Sequence, residues 1–374
     1  MSRPAPSTLT GRSREQTIAG AVGALASDHL IVFPTETVYG VGANAASAAA
    51  LATLARIAGH TPPTAPTAWH APSRDVATST IDPQHPVHRR LFARFLPGPI
   101  TFIVELSADR LAEVRARTRA LPGSFDDGRD LCVRVPDHEG ALALLDAAWN
   151  EGIPVIAESI AAAGWASSGN ASSLGTFPAQ GEPALVIDDG PTRLAKPSTR
   201  VRLNADGSFT IISIGAIDER TVRKALERTI LFVCSGNTCR SPMAAAIARS
   251  LLPPVEGLTT RIRSAGAFAS DGEPITRESV EALKAIGVDA KEAQKHRSHE
   301  LTRQMIAEAD VIYTMTAAHA REVRRFDPTA SDRILTLDPA GDVPDPIGGA
   351  QEVYTRTAGR LKELIAQRLN ELGP

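Results

Sequence analysis

Aromatic residues are scarce in this chain, at 4% of its 374 positions, and it holds only 3 cysteines. The scarcity of rings leaves the cores to Ala, Val, Leu and Ile. Three cysteines without paired spacing exclude a disulfide framework and point to a reducing cytoplasm. A net charge of -2 gives no bulk electrostatic case for binding nucleic acid or a membrane surface. No run approaches the ~18 consecutive apolar residues of a membrane helix. The opening MSRPAPSTLTGRSREQ has no apolar stretch, so no secretory signal is expected. Neither an internal repeat nor a flexible linker is visible.

What is present is ordinary globular chemistry. The chain is 43% hydrophobic with a mean hydropathy of -0.08. Its length suits two domains of about 150 residues each. Residues 1–13 lack periodicity and read as disordered. The pattern predicts helices at Gln16–Ser27, Ala46–Ala58, Pro86–Phe95, Glu139–Asn150 and Asp218–Glu227. It predicts strands at Leu30–Pro34, after LPGP, at Leu131–Val135, Ile153–Ala157, Ala184–Asp188, Ser198–Leu203 and Phe209–Ile214. The Pro- and Thr-rich stretch 59–74 reads as loop. From Thr229 onward strands and helices alternate, with Gly287 as the residue closing one helix. That rhythm implies a parallel sheet with helices on both faces. The domain boundary falls near Glu227–Thr229.

One stretch organises the second half: TILFVCSGNTCRSPMAAAIARSLL, Thr229–Leu252. A β-branched run leads into a small polar loop, Cys234 to Arg240. Ser241-Pro242 then opens an Ala-rich helix, with Ser as expected N-cap and Pro at the first helical position. Backbone N–H groups of such a loop, together with the helix dipole, make an anion site. A thiol at its base is expected to have a depressed pKa and to be a thiolate near neutral pH. That combination aims a nucleophile at a bound phosphate ester or phosphoramidate.

VCSGNTCRSPM, with RSAGAFAS, HRSHELT, ADVIYTMT and VPDPIGG, resembles the low-molecular-weight protein tyrosine phosphatase family over Thr229–Gly373. The resemblance implies that Cys234 forms a phosphocysteine and that Arg240 clamps the phosphoryl oxygens. It implies Asp345 as the acid that protonates the leaving group and then activates water. Ser235, Gly236, Asn237, Thr238, Cys239 and Ser241 would build the phosphate loop. Ser264 and His296 would brace Asn237 from outside it. Blander roles stand beside these. Asp345 before Pro346 suits a turn, Ser264 a strand end, and Cys239 a small core residue. The resemblance implies instead that Cys239 forms a disulfide with Cys234 on oxidation. His296 and His299 have no third ligand, so no metal or other cofactor is expected.

Thr238 and Ile347-Gly348-Gly349 resemble the bacterial branch that includes protein-arginine phosphatases. A β-branched hydroxyl leaves polar room for a guanidinium, and no aromatic follows the Asp-Pro pair to stack on phosphotyrosine. The partner is therefore a phosphoprotein, through phosphoarginine or phosphotyrosine.

Residues 17–226 resemble the threonylcarbamoyl-adenylate synthase family of YrdC-like domains. The motifs are FPTETVYGVGANA, LPGPITFIVEL, CVRVP, KPST and ISIGAI. The implied fold is a twisted α/β sheet with a concave face. Thr35, Arg134, Ser159 and Ser198 remain as candidate ligand residues, each also suited to a turn, strand-edge or cap role. The family's Lys-x-Arg is here Ala58-Gly59-His60, its Ser-x-Asn is Ser159-Ile160-Ala161, and its late Arg falls near Ser213. An ATP pocket lacking those charges binds triphosphate poorly. The expected architecture is thus a disordered 1–13, a degenerate YrdC-like domain at 14–227, and a doubly wound phosphatase domain at 228–374. The alternative is a bifunctional protein whose first domain retains synthase activity or binds a nucleotide or double-stranded RNA. No membrane partner is expected.

Overall fold

The computed structural model describes residues 7–8, 13–57, 66–160, 183–252 and 254–372. The chain divides into two compact units, Met1–Ala225 and Leu226–Pro374.

The first unit is a twisted, mixed α/β sheet. In order it runs β1 (Ser7–Thr8), α1 (Arg14–Ala26), β2 (Ile31–Phe33), β3 (Gly40–Asn44), α2 (Ala48–Ile57), β4 (Ala68–His70), α3 (Arg74–Ile81), α4 (Pro86–Phe95) and β5 (Ile100–Glu105). It continues with α5 (Ala108–Thr118), β6 (Asp130–Arg134), α6 (Glu139–Asn150), β7 (Val155–Ser159), β8 (Leu185–Val186), β9 (Thr199–Leu203), β10 (Phe209–Ser213) and α7 (Glu219–Lys224). The strand order is β1-β8-β2-β3-β7-β4-β6-β5-β9-β10. Every residue of β2 and β6 is buried, and so is most of β5. β2 and most of β5 therefore read as near-continuous apolar runs, whereas β6 places the buried charges Asp130 and Arg134 at the ends of an apolar centre.

Several expectations need correcting here. Ser7–Thr8 pairs with Leu185–Val186, and Ser13 caps α1, so the leading segment is not uniformly disordered. Its other residues, 1–6 and 9–12, lie outside the described ones, as do 58–65 in the expected Pro/Thr loop. Within that loop Ala68–His70 is a strand, because pairing with β6 and β7 overrides local loop composition. β3, α3 and α5 were also not expected. Gly40 and Gly42 hide β3, yet Phe33 packs against the space a Cβ at Gly42 would take, at 3.0 Å.

The second unit is the doubly wound α/β fold that its rhythm implied. It contains β11 (Glu227–Cys234), α8 (Arg240–Leu251), β12 (Thr259–Gly266), α9 (Arg277–Ala285), α10 (Lys291–Gln294) and α11 (Arg303–Glu308). β13 (Val311–Thr314), α12 (Ala317–Phe326), β14 (Ile334–Thr336) and α13 (Gln351–Leu372) follow. All three strand pairings are parallel, in the order β12-β11-β13-β14. Alternate residues of β11 face opposite cores. Ile230, Phe232 and Cys234 join α8, α9 and α13, whereas Leu231 and Val233 join α11 and α12. Thr276 caps α9, and Gly287 with φ +78° follows its end as expected.

The start of α8 differs from expectation. The helix begins at Arg240, its N-cap is Cys239, and no side chain caps it. Ser241 lies inside the first turn, and its hydroxyl turns inward to Cys234 instead. The loop amides at this helix end are thereby left for a ligand rather than closed by a cap.

Candidate active site

The loop Ser235–Cys239 sits at the carboxyl end of β11, the central region of a parallel sheet where ligands bind in open α/β folds. Its shape depends on two positions. Asn237 adopts φ +55°, a left-handed conformation that Asn tolerates better than most side chains. Gly266, at the end of β12, lies so close that a Cβ there would meet Ser235 O at 2.5 Å and Asn237 N at 3.0 Å. The amides of Gly236, Thr238 and Cys239 have no protein acceptor among the described residues.

Cys234 is buried at the loop's base. Ser241 Oγ lies 3.0 Å from Cys234 Sγ, and the Asn237 amide donates to the same sulfur at 3.3 Å. Asn237 Nδ2 donates to Ser241 Oγ at 2.8 Å. Burial pushes the Cys234 thiol above its ordinary value. Ser241, the Arg240 charge and the Asn237 amide pull it down without reversing the shift. The depressed pKa expected from the helix end is therefore corrected: desolvation outweighs the donors.

Arg240 is buried with its charge turned into the site. Nη1 donates to Val343 O at 3.1 Å, and Nη2 to Ser235 Oγ at 3.3 Å. Nη2 also pairs with the Asp345 carboxylate, which is more exposed. Arg240 Nε is buried without a protein partner. A buried guanidinium with a spare N–H suits an oxyanion. Asp345 additionally accepts from the Ile347 amide at 3.3 Å, so the turn reading of this aspartate is also true.

Around the loop, His296 Nε2 donates to Asn237 O at 2.8 Å, and the His299 amide donates to Asn237 Oδ1 at 2.8 Å. Burial lowers the His296 pKa. Ser264 is buried in β12, opposite Phe232, and no hydrogen bond joins it to Asn237. The second brace on Asn237 is the His299 amide, not Ser264. Cys239 is buried among the hydroxyls of Thr238, Thr276 and Tyr354, and all three cysteines are free.

Two residues of this site escaped the sequence reading. Phe268, 68% exposed, follows the strand end and donates its amide to Ser235 O at 3.0 Å. With Ile347, 65% exposed, it puts apolar surface at the rim. His319, on α12, lies 2.8 Å from Ser235 Oγ through Nε2. Only the sheet order could reveal it. Pairing of Val233 with Thr314 sets the loop after β13 beside the loop after β11.

In the first unit Thr35, Arg134, Ser159 and Ser198 come together on one cavity of ≈ 400 Å³. His70, Thr101, Cys132, Glu158 and Arg200 line it too. Arg134 Nη2 donates to Thr37 Oγ1 at 2.6 Å, to Glu36 Oε1 at 2.9 Å and to Thr35 Oγ1 at 3.4 Å. Ser198 Oγ meets Thr101 Oγ1 at 2.8 Å. Burial, helped by the Arg134 charge, drives the His70 pKa down to about 3, and burial raises Cys132 to about 12. Of the motif departures, 58–60 and Ala161 lie outside the described residues.

The low molecular weight phosphotyrosine protein phosphatase family matches residues 229–373. The Sua5/YciO/YrdC family, described as telomere recombination, matches residues 23–215. The chain belongs to both families. Its second unit is a cysteine-dependent phosphatase domain and its first a YrdC-like domain. The protein-arginine-phosphatase of Bacillus subtilis is 38% identical over 148 residues, which span 38% of this chain and 95% of that protein. The low molecular weight protein-tyrosine-phosphatase PtpB of Staphylococcus epidermidis is 36% identical over 140 residues, 36% of this chain and 93% of that protein. Among solved structures, a YwlE mutant from Bacillus subtilis matches at 37% identity and TM-score 0.36, covering 39% of this chain and 98% of that one. No helix among the described residues is long and apolar enough to cross a membrane.

Proposed function

We propose that residues 228–374 dephosphorylate protein phosphoarginine or phosphotyrosine through a phosphocysteine. The observation that carries this reading is the Cys234 thiol below a loop of open amides, beside a buried Arg240 with an unpartnered Nε. The phosphoryl group sits on those amides and on the Arg240 fork. The Cys234 proton passes to a phosphoryl oxygen of the bound group, the resulting thiolate attacks phosphorus, and the bond to the leaving oxygen or nitrogen breaks. Asp345 supplies the proton to that leaving atom. Water then attacks the phosphocysteine, gives its proton to Asp345, and releases phosphate and the thiolate. Loop positions Ser235, Gly236, Asn237, Thr238, Cys239 and Ser241 hold the group. His296 and the His299 amide hold Asn237. The three free cysteines support a reducing, cytoplasmic setting.

Hydrolysis of p-nitrophenyl phosphate by the full chain tests the nucleophile. Cys234→Ser is expected to abolish turnover, and activity that survives it refutes the assignment. Asp345→Asn is expected to slow poor leaving groups far more than good ones.

Thr238 decides between the two substrates. The names of the relatives include both arginine and tyrosine phosphatases, and Thr238 offers a hydroxyl where an aliphatic side chain would fill the space. Phe268 supplies the exposed ring that the segment after Asp345 lacks. Thr238→Ile is expected to shift the turnover ratio of matched phosphopeptides toward phosphotyrosine. An unchanged ratio sinks the specificity argument.

We further infer that residues 14–227 keep the YrdC-like fold with synthase activity lost or greatly weakened. The supporting observations are that Ser213 lines the cavity near where the family's late Arg falls and that Glu36 neutralises Arg134 there, while the buried Arg134 Nε has no protein partner. Isothermal titration with ATP is expected to give no measurable heat, alongside a silent threonylcarbamoyl-adenylate assay. Robust turnover overturns this. Binding of a nucleotide or double-stranded RNA without turnover marks a binding domain.

A further inference from the structure

Arg240 has two kinds of partner. Val343 O and Ser235 Oγ belong to the fixed frame, whereas Asp345 is exposed and belongs to a turn. On the reading above, Asp345 must leave the guanidinium to protonate the leaving group. Nη2 is then left with Ser235 Oγ as its protein partner and with the incoming phosphoryl oxygen. A serine hydroxyl is a free rotor unless something takes its proton.

His319 Nε2 lies 2.8 Å from Ser235 Oγ, within reach of that proton. The ring is itself fixed, because Nδ1 lies 2.9 Å from Thr316 Oγ1, the cap of α12. His319 is 4% exposed. Burial and the Arg240 charge hold it neutral, with a pKa of about 4, against the weaker pull of Asp345 and Asp342. A neutral ring has one donor and one acceptor. Ser235 Oγ accepts from Arg240 and has a second lone pair, but its own proton finds no acceptor other than Nε2 among the described residues. Nε2 is therefore assigned as acceptor, and Nδ1–H as donor to Thr316 Oγ1. Each member of the chain Thr316–His319–Ser235–Arg240 then has one consistent direction.

We propose that His319 is a positioning residue of the phosphatase site, fixing the Arg240 fork through Ser235 for the incoming phosphoryl group. The proposal rests on the phosphatase reading of this loop. His319 touches no reacting atom, so its loss weakens phosphoryl binding more than chemistry.

The test is p-nitrophenyl phosphate kinetics, with inhibition by inorganic phosphate, on the full chain. His319→Gln keeps a polar atom at the Nε2 position and drops the Thr316 contact. His319→Asn keeps the Nδ1 position and drops Ser235. His319→Asn is expected to raise KM and the phosphate inhibition constant about tenfold, with kcat within about threefold, in line with losing one hydrogen bond beside a charge. His319→Gln is expected to stay within about threefold of wild type in all three. Ser235→Ala combined with His319→Asn should be no worse than Ser235→Ala alone. Wild-type KM and inhibition constants in His319→Asn overturn the proposal. Additive losses in the double variant do the same. So does the reverse order, Gln impaired and Asn intact, which marks a cap-packing role. A wild-type chain that fails to turn over the ester, or a Cys234→Ser variant that still does, overturns the phosphatase reading itself and this proposal with it.

Discussion

Cys234 stands between its own burial, which favours the thiol, and donors that favour the thiolate. Ser241 is the nearest of these. The Ser241 hydroxyl has one proton, and Ala265 O at 3.3 Å competes for it while the sulfur is neutral. Once the sulfur carries charge, the stronger acceptor wins. Ser241→Ala removes that donor and is expected to raise the pH midpoint of Cys234 alkylation by iodoacetamide. The rate at neutral pH falls accordingly. A midpoint that stays put or falls shows that Ser241 does not stabilise the thiolate. The loop from Cys234 to Arg240 was legible because it is local, whereas the expected role of Asp345 came only through the family resemblance, since an Asp-Pro pair read alone suits a turn. The donors to the sulfur, Ser241 and Asn237, are local too, but the burial that outweighs them was not legible, since it comes from elements far along the chain. His319 was illegible for a related reason: it reaches Ser235 across a strand pairing, and nothing in TMTAAHA marks it as reactive.

The phosphate loop keeps its form because β12 ends in a residue without a side chain. Phe268 and Ala267 donate their amides to Ser235 O and Cys234 O, drawing the strand end tight against the loop. Gly266→Ala forces its Cβ onto the Ser235 carbonyl and is expected to cost about 1–3 kcal/mol, as overpacking does. Turnover of p-nitrophenyl phosphate should fall at least about tenfold, because the displaced atoms belong to the loop itself. Gly359→Ala in α13 is the control. A Cβ there meets nothing within 4 Å, so the change should stabilise slightly by helix propensity. Equal activity in the two variants contradicts this account. Long elements such as Pro86–Phe95 and Glu139–Asn150 matched their sequence pattern to the residue. Short strands fared worse. Ala68–His70 exists only because β6 and β7 offer it partners, and no property of its own residues encodes that.

Each unit carries a histidine that is neutral when folded for want of solvent. In the first, His70 is held to about 3 by burial and by Arg134. In the second, His319 is held to about 4 by burial and by Arg240. An unfolded histidine titrates near 6.5. Between that value and the folded one, the unfolded chain binds a proton that the native chain does not. Stability is therefore present in full above about pH 6.5 and is lost as pH falls toward 3 or 4. From pH 7 to pH 5 the expected loss is about 2 kcal/mol for each histidine, or 1.36 kcal/mol for each unit of pH below 6.5. Urea unfolding of the full chain at the two pH values, followed by far-ultraviolet circular dichroism, measures it. His70→Asn removes one of the titrating groups of the first unit, where burial also lowers the His88 pKa, so the urea midpoint of that unit should lose the His70 part of its pH dependence while the second keeps its own. A wild-type chain equally stable at both pH values would show that neither ring stays uncharged in the folded state. The neutral Ser235–His319–Thr316 chain would then lose its assigned direction as well.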